Sequence, residues 1–153
     1  MNASLEMWVT VAAGAVLIVA LVQLSRIDWA TQRLPNVITY PLLAAGLAWA
    51  FGTAEDFYIH LLGAALGYGV FWAVELLYRI VRKRDGLGRG DAKLLAVGGA
   101  WCGALALPAI VLAASVSALA YALPKGGTRD MRVPFGPFLA IGIVAVWLAQ
   151  RLF

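Results

Sequence analysis

From residue 94 to residue 123 the chain runs for thirty positions without a charged side chain. As one straight helix that run would be about 45 Å long, against a bilayer hydrocarbon core of about 30 Å. Two shorter helices, turning between Cys102 and Pro108, accommodate it better. Four further apolar stretches, residues 7–27, 37–51, 57–81 and 135–152, are separated by short polar links. In the first link Pro35 should end any helix, since it lacks an amide and clashes with the preceding turn. The chain is 63% hydrophobic and 13% charged, with a mean hydropathy of +0.85. A soluble domain carries about 25% charged residues, so that class is excluded. The expected fold is all-α: a polytopic membrane helical bundle of about six transmembrane helices, forming a single domain over residues 1–153.

The distribution of Lys and Arg orients this bundle, because cytoplasmic loops are enriched in both. Six spans put loops 26–36, 79–93 and 124–134 on one side, and these hold eleven of the twelve basic residues. Arg151 alone falls opposite. A single span over 94–123 would move Lys125, Arg129 and Arg132 to the far side, so six spans with both termini outside is the better reading. Placement also explains the net charge of +4 as orientation and attraction to anionic lipid, and no nucleic-acid partner is expected. The amino terminus has Glu6 and no Lys or Arg before its apolar run, unlike an export signal. It reads as a retained first helix. The pairs Gly63/Gly67 and Gly99/Gly103 suit close helix packing in lipid. With Cys102 the sole cysteine, an intrachain disulfide and a cysteine-based zinc site are both excluded.

An ionisable side chain in a membrane helix is costly, about 2.5–3.5 kcal/mol on insertion scales, so each one is a candidate functional group. Asp28 follows the first span, Glu75 lies within the third, and Asp91 opens the fourth. All three belong to the cytoplasmic side, whereas Glu6, Glu55 and Asp56 read as solvated ends opposite. Asp28 and Asp91 share a membrane depth. Helix capping accounts well for Asp91 but less well for Asp28, which stands where a helix ends; a catalytic carboxylate pair is the other reading. Gly86, Gly88 and Gly90 precede Asp91 at alternate positions, where bare backbone would let an extended peptide lie against the carboxylate. Gly88 and Gly90 are therefore candidate substrate-binding positions. A phosphate-binding loop would need Lys then Ser or Thr after the last glycine, and Asp91 stands there instead. A dinucleotide fingerprint would follow a strand, and this loop follows a membrane helix.

Four blocks occur in order: Asp28; Leu34-Pro35-Asn36; Gly88-Arg89-Gly90-Asp91-Ala92-Lys93-Leu94-Leu95-Ala96; and Pro134-Phe135-Gly136-Pro137-Phe138-Leu139-Ala140. Together they resemble the type IV prepilin peptidases, polytopic aspartic proteases of the GxGD type, over roughly residues 26–142. The resemblance implies that Asp28 and Asp91 are the catalytic aspartates, while the Lys93 and Phe-Gly-Pro-Phe matches are given structural roles only. It implies a prepilin or pseudopilin precursor as substrate, as in type IV pilus or type II secretion systems. Cleavage would follow a glycine at the end of a short basic leader, at the cytoplasmic face of the bacterial inner membrane. Longer members carry an amino-terminal segment with paired CxxC zinc motifs, tied to methylation of the new amino terminus. This chain looks like a short form, and N-methyltransferase activity is not expected of it.

Two nearby carboxylates share a proton, so one can activate a water while the other supports the peptide carbonyl. That chemistry requires no metal, nucleotide or other cofactor. His60, the single histidine, belongs to the opposite side, which argues against a Ser–His arrangement. Two other readings stay open: a small transporter or proton-relay protein using Asp28, Glu75 and Asp91, and an inactive assembly partner that keeps the peptidase fold.

Overall fold

A computed structural model describes residues 3–53, 56–82, 88–126 and 133–152. These residues form six α-helices: α1 (Ala3–Thr31), α2 (Asn36–Gly52), α3 (Phe57–Arg82), α4 (Arg89–Cys102), α5 (Leu107–Ala122) and α6 (Gly136–Leu152). Short 3-10 turns at Ala104–Ala106 and Leu123–Lys125 flank α5. Gly86, Lys83, Arg84, Glu55, Arg129 and Arg132 lie outside the described residues.

The breaks fall where local chemistry puts them. Gln32 takes a positive φ of 52° just after α1, and Pro35, extended at φ −70° and ψ 130°, leads into α2. The turn expected within the uncharged run falls at Gly103, whose φ of +83° suits a residue without a Cβ. One expectation is corrected, and the expected place of Asp91 at the opening of α4 is found. Asp28 does not follow the first helix; it lies inside α1, about one turn from its end. Gly90 and Asp91 belong to the first turn of α4, and neither Gly88 nor Gly90 has a positive φ. Among the described residues, Gly88 before this turn is extended, with φ −74° and ψ 137°.

The six helices agree with the expected all-α membrane bundle. Among the described residues three helical segments are long and apolar enough to cross a membrane: Ala3–Thr31, Phe57–Val81 and Ala104–Lys125. At 1.5 Å per residue the seventeen-residue helices α2 and α6 reach about 26 Å and the fourteen-residue α4 about 21 Å. The reason for the short α4 is its position. It packs against α2, α3, α5 and α6 and is buried from Leu94 to Cys102, so it meets protein along its length instead of lipid. The outer helices do the opposite. Trp8, Val19, Leu77 and Leu112 are all more than half exposed, a pattern that suits lipid and would be a large liability in water.

Small residues let α3 approach α4 at backbone distance. A Cβ on Gly63 would stand 2.6 Å from the Gly99 carbonyl oxygen, and one on Gly67 would stand 2.6 Å from that of Leu95. Of the glycine pairs legible in the sequence, Gly63 thus faces both Gly99 and Gly103, while Gly67 faces the backbone at Leu95. Trp101 closes the other side of α4 by donating its indole N–H to the Leu42 carbonyl at 2.9 Å. Along α1 the buried positions are Gly14, Leu17, Leu21, Leu24 and Asp28. Alternating spacings of three and four put them on one helix face. Asp28 continues the apolar seam that holds α1 to the bundle, so packing aims its carboxyl inward.

Candidate active site

The four sequence blocks meet at one end of the bundle. Leu34, in the link after α1, is buried against Gly90; a Cβ there would stand 3.1 Å from Leu34. Lys93 donates to the Asn36 side chain at 2.6 Å and lies over the Tyr40 ring. The Leu-Pro-Asn block is therefore the strap that fixes the start of α4 against α2. Lys93 has a tethering role, in agreement with the structural part expected of it.

Asp28 and Asp91 are both buried, at 5% and 9% exposure, and stand near enough to act on one another electrostatically. Their supports differ. Asp28 Oδ2 accepts a hydrogen bond from the Gly136 amide at 3.1 Å. In the first turn of α6, Pro137 has no amide, and the Phe138 and Leu139 amides both donate to the Phe135 carbonyl. Gly136 thus offers the amide left over at that helix end, and a side chain 108 residues away satisfies it. Asp91 sits in the first turn of α4, where its own amide donates to the Gly88 carbonyl at 3.0 Å. Among the described residues no hydrogen-bond donor reaches its carboxyl. Gly88 is exposed beside it, and even an added Cβ there would come no nearer than 4.0 Å to Asp91 Oδ2.

The remaining candidates have other partners. Glu75 is buried in α3 and ion-paired with Arg79 at 2.5 Å, one turn along. His60 Nδ1 stands 2.9 Å from the Ala100 carbonyl, about 13 Å along α4 from Asp91 at 1.5 Å per residue. The histidine is thus at the far end of the bundle, as the charge distribution predicts. Among the described residues no three His, Cys, Asp or Glu side chains gather closely enough to hold a metal ion.

Paired buried aspartates at one end of an apolar helical bundle, strapped by an Asn–Lys contact, are the geometry in which the comparisons with known proteins take on meaning. The profile of the type IV leader peptidase family matches residues 15–123, a stretch that includes both aspartates. The chain belongs to that family. It is similar to the prepilin leader peptidase/N-methyltransferase of Escherichia coli strain K12, at 43% identity over 124 residues, covering 78% of this chain and 55% of the relative. The protein of that name from Burkholderia pseudomallei is 43% identical over 128 residues, covering 80% and 41%. The one from Pseudomonas aeruginosa is 40% identical over 144 residues, covering 90% and 49%. The chain therefore spans about half the length of these curated relatives. No solved structure matches it significantly.

In this leader peptidase family member the structure brings one further residue, Gly136, to the site. In the sequence Gly136 is part of a signature with a structural role; in the structure its amide holds an oxygen of Asp28. The signal was legible: a Gly-Pro pair at a helix start leaves one amide at Gly136 and removes the next.

Proposed function

We propose that Asp28 and Asp91 are the catalytic pair of a membrane aspartic endopeptidase that removes the short basic leader from prepilin-like or pseudopilin-like precursors. The proposed cut follows a glycine, at the cytoplasmic face of the bacterial inner membrane. The observation that carries this reading is the convergence of the two aspartates. They are 63 positions apart in sequence, both are buried, and they stand near enough to act on one another electrostatically. Family membership and the printed names of the relatives support the choice of substrate.

In the proposed reaction one carboxylate takes a proton from a water, whose oxygen adds to the scissile carbonyl carbon. The other aspartate, protonated, gives its proton to the carbonyl oxygen, and a gem-diol forms. On collapse the C–N bond breaks and the leaving nitrogen takes the proton the first aspartate had gained. One diol hydroxyl returns its proton to the second, and the pair is restored. Gly88 serves by what it lacks, since no side chain there stands beside Asp91 as a peptide backbone approaches, and at Gly90 the missing side chain lets Leu34 lie close and seat the start of α4. Leu34 supports Gly90 from beneath. The relay reading loses support because its third acid, Glu75, is engaged by Arg79.

We further propose that these 153 residues cleave without methylating the new amino terminus, since the described residues contain no βα unit of the nucleotide-binding kind. One experiment tests both proposals: co-expression with a pilin precursor as the only peptidase present, followed by gel mobility and mass measurement of the product. Asp28→Asn and Asp91→Asn, which keep size and polarity, should each abolish the size shift while remaining folded and inserted. Cleavage retained in either variant overturns the aspartate pair. A mature product heavier by one methyl group overturns the second proposal alone.

A further inference from the structure

Resting on the aspartate pair proposed above, we propose that Gly136 is a positioning residue for Asp28: its amide and its bare α-carbon together dictate where that carboxyl stands. The amide donates to Asp28 Oδ2 at 3.1 Å. On the same residue, an added Cβ would fall 2.9 Å from the Asp28 carboxyl carbon and closer still to Oδ2. Any other residue here would drive the carboxylate away from the amide that orients it. Glycine is required at this position by contact, with no unusual dihedral involved. Among the described residues Oδ1 receives no hydrogen bond, so the bond to Oδ2 leaves Oδ1 as the oxygen available to water or to Asp91.

The mounting of α6 is stiff enough for this task. Phe135 packs on Phe71 of α3 with ring centroids 6.4 Å apart, and Phe138 packs on Tyr121 of α5 at 5.6 Å. Tyr121 in turn meets Trp29, the residue after Asp28, edge-on at 5.6 Å. Aromatic contacts thus tie both partners of the Asp28–Gly136 bond to α5, so donor and acceptor are held by a common support. Pro137 adds to the specificity by removing the adjacent amide, which leaves one donor in reach where an ordinary helix start would offer several. The Phe-Gly-Pro-Phe block, which lies outside the matched residues 15–123, acquires a role in the site through this contact.

The test is Gly136→Ala in the full chain, assayed against a purified pilin precursor and normalised to folded enzyme, with Gly69→Ala as a control because nothing lies within 4 Å of a Cβ there. Misplacing a catalytic group by about 1 Å lowers rate on the order of a hundredfold, so kcat should fall by about that factor with KM within about twofold. A merely structural role would reduce the amount of folded enzyme and leave kcat per folded molecule unchanged. Should Gly136→Ala fail to insert, amide exchange at Gly136 decides the question. Its protection should drop in Asp28→Ala, which removes the acceptor, and persist in Asp91→Ala. Unchanged kcat in Gly136→Ala, or unchanged protection in Asp28→Ala, overturns the inference while the aspartate pair stands. Cleavage by Asp28→Asn overturns the pair itself.

Discussion

Replacing Gly63 by alanine should loosen the bundle through a single contact. The new Cβ would stand 2.6 Å from the Gly99 carbonyl oxygen and 2.7 Å from the Ala104 amide nitrogen. Ordinary van der Waals contact begins at 3.4 Å, so α3 and α4 must separate by roughly 1 Å at this point. Both clashing atoms are backbone, with no rotamer to turn aside. Overpacking of this kind destabilises by about 1–3 kcal/mol. Lipid offers no hydrophobic force to press the helices back together, because association there rests on close packing itself. A loss of about 2 kcal/mol lowers the folded-to-unfolded ratio roughly thirtyfold. The assay is thermal unfolding of purified protein in one detergent, comparing Gly63→Ala with Gly69→Ala. Gly63→Ala should unfold several degrees lower and Gly69→Ala should track the unsubstituted protein. Equal midpoints for the two variants would refute the backbone-contact reasoning.

Two other outcomes are expected. Glu75→Gln removes the charge partner of Arg79 and should leave precursor cleavage within about threefold of the unsubstituted enzyme, since neither proposed catalytic carboxyl depends on it; a loss as complete as that of Asp91→Asn would revive the relay reading. Reporter fusions after residue 153 and within residues 129–132 should report opposite faces of the membrane, as the eleven-to-one split of basic residues requires; the same face for both would contradict the topology.

Much of this protein is dictated locally. Apolar runs too long for a soluble surface, broken by Pro35, by the turn before Pro108 and by charged links, determine helices in water or lipid alike, and their ends fall within a few residues of expectation. Buried acids are conspicuous against such a background, which is why Asp28, Glu75 and Asp91 stand out from composition alone. The sequence cannot rank them, because burial and partnership depend on which helix faces which. The Glu75–Arg79 pair is local, one turn apart within α3, whereas tertiary structure turned the α1 seam so that Asp28 points inward and brought that carboxyl to the amide of Gly136. It also decided that α4 is a short central helix and that Gly90 is bare because Leu34 lies against it, with no unusual dihedral involved. Helix boundaries follow from interactions between near neighbours in the chain. The candidate site follows from a contact across 108 positions and from an electrostatic approach of residues 63 positions apart, which exist only once α1 and α4 both pack on α6.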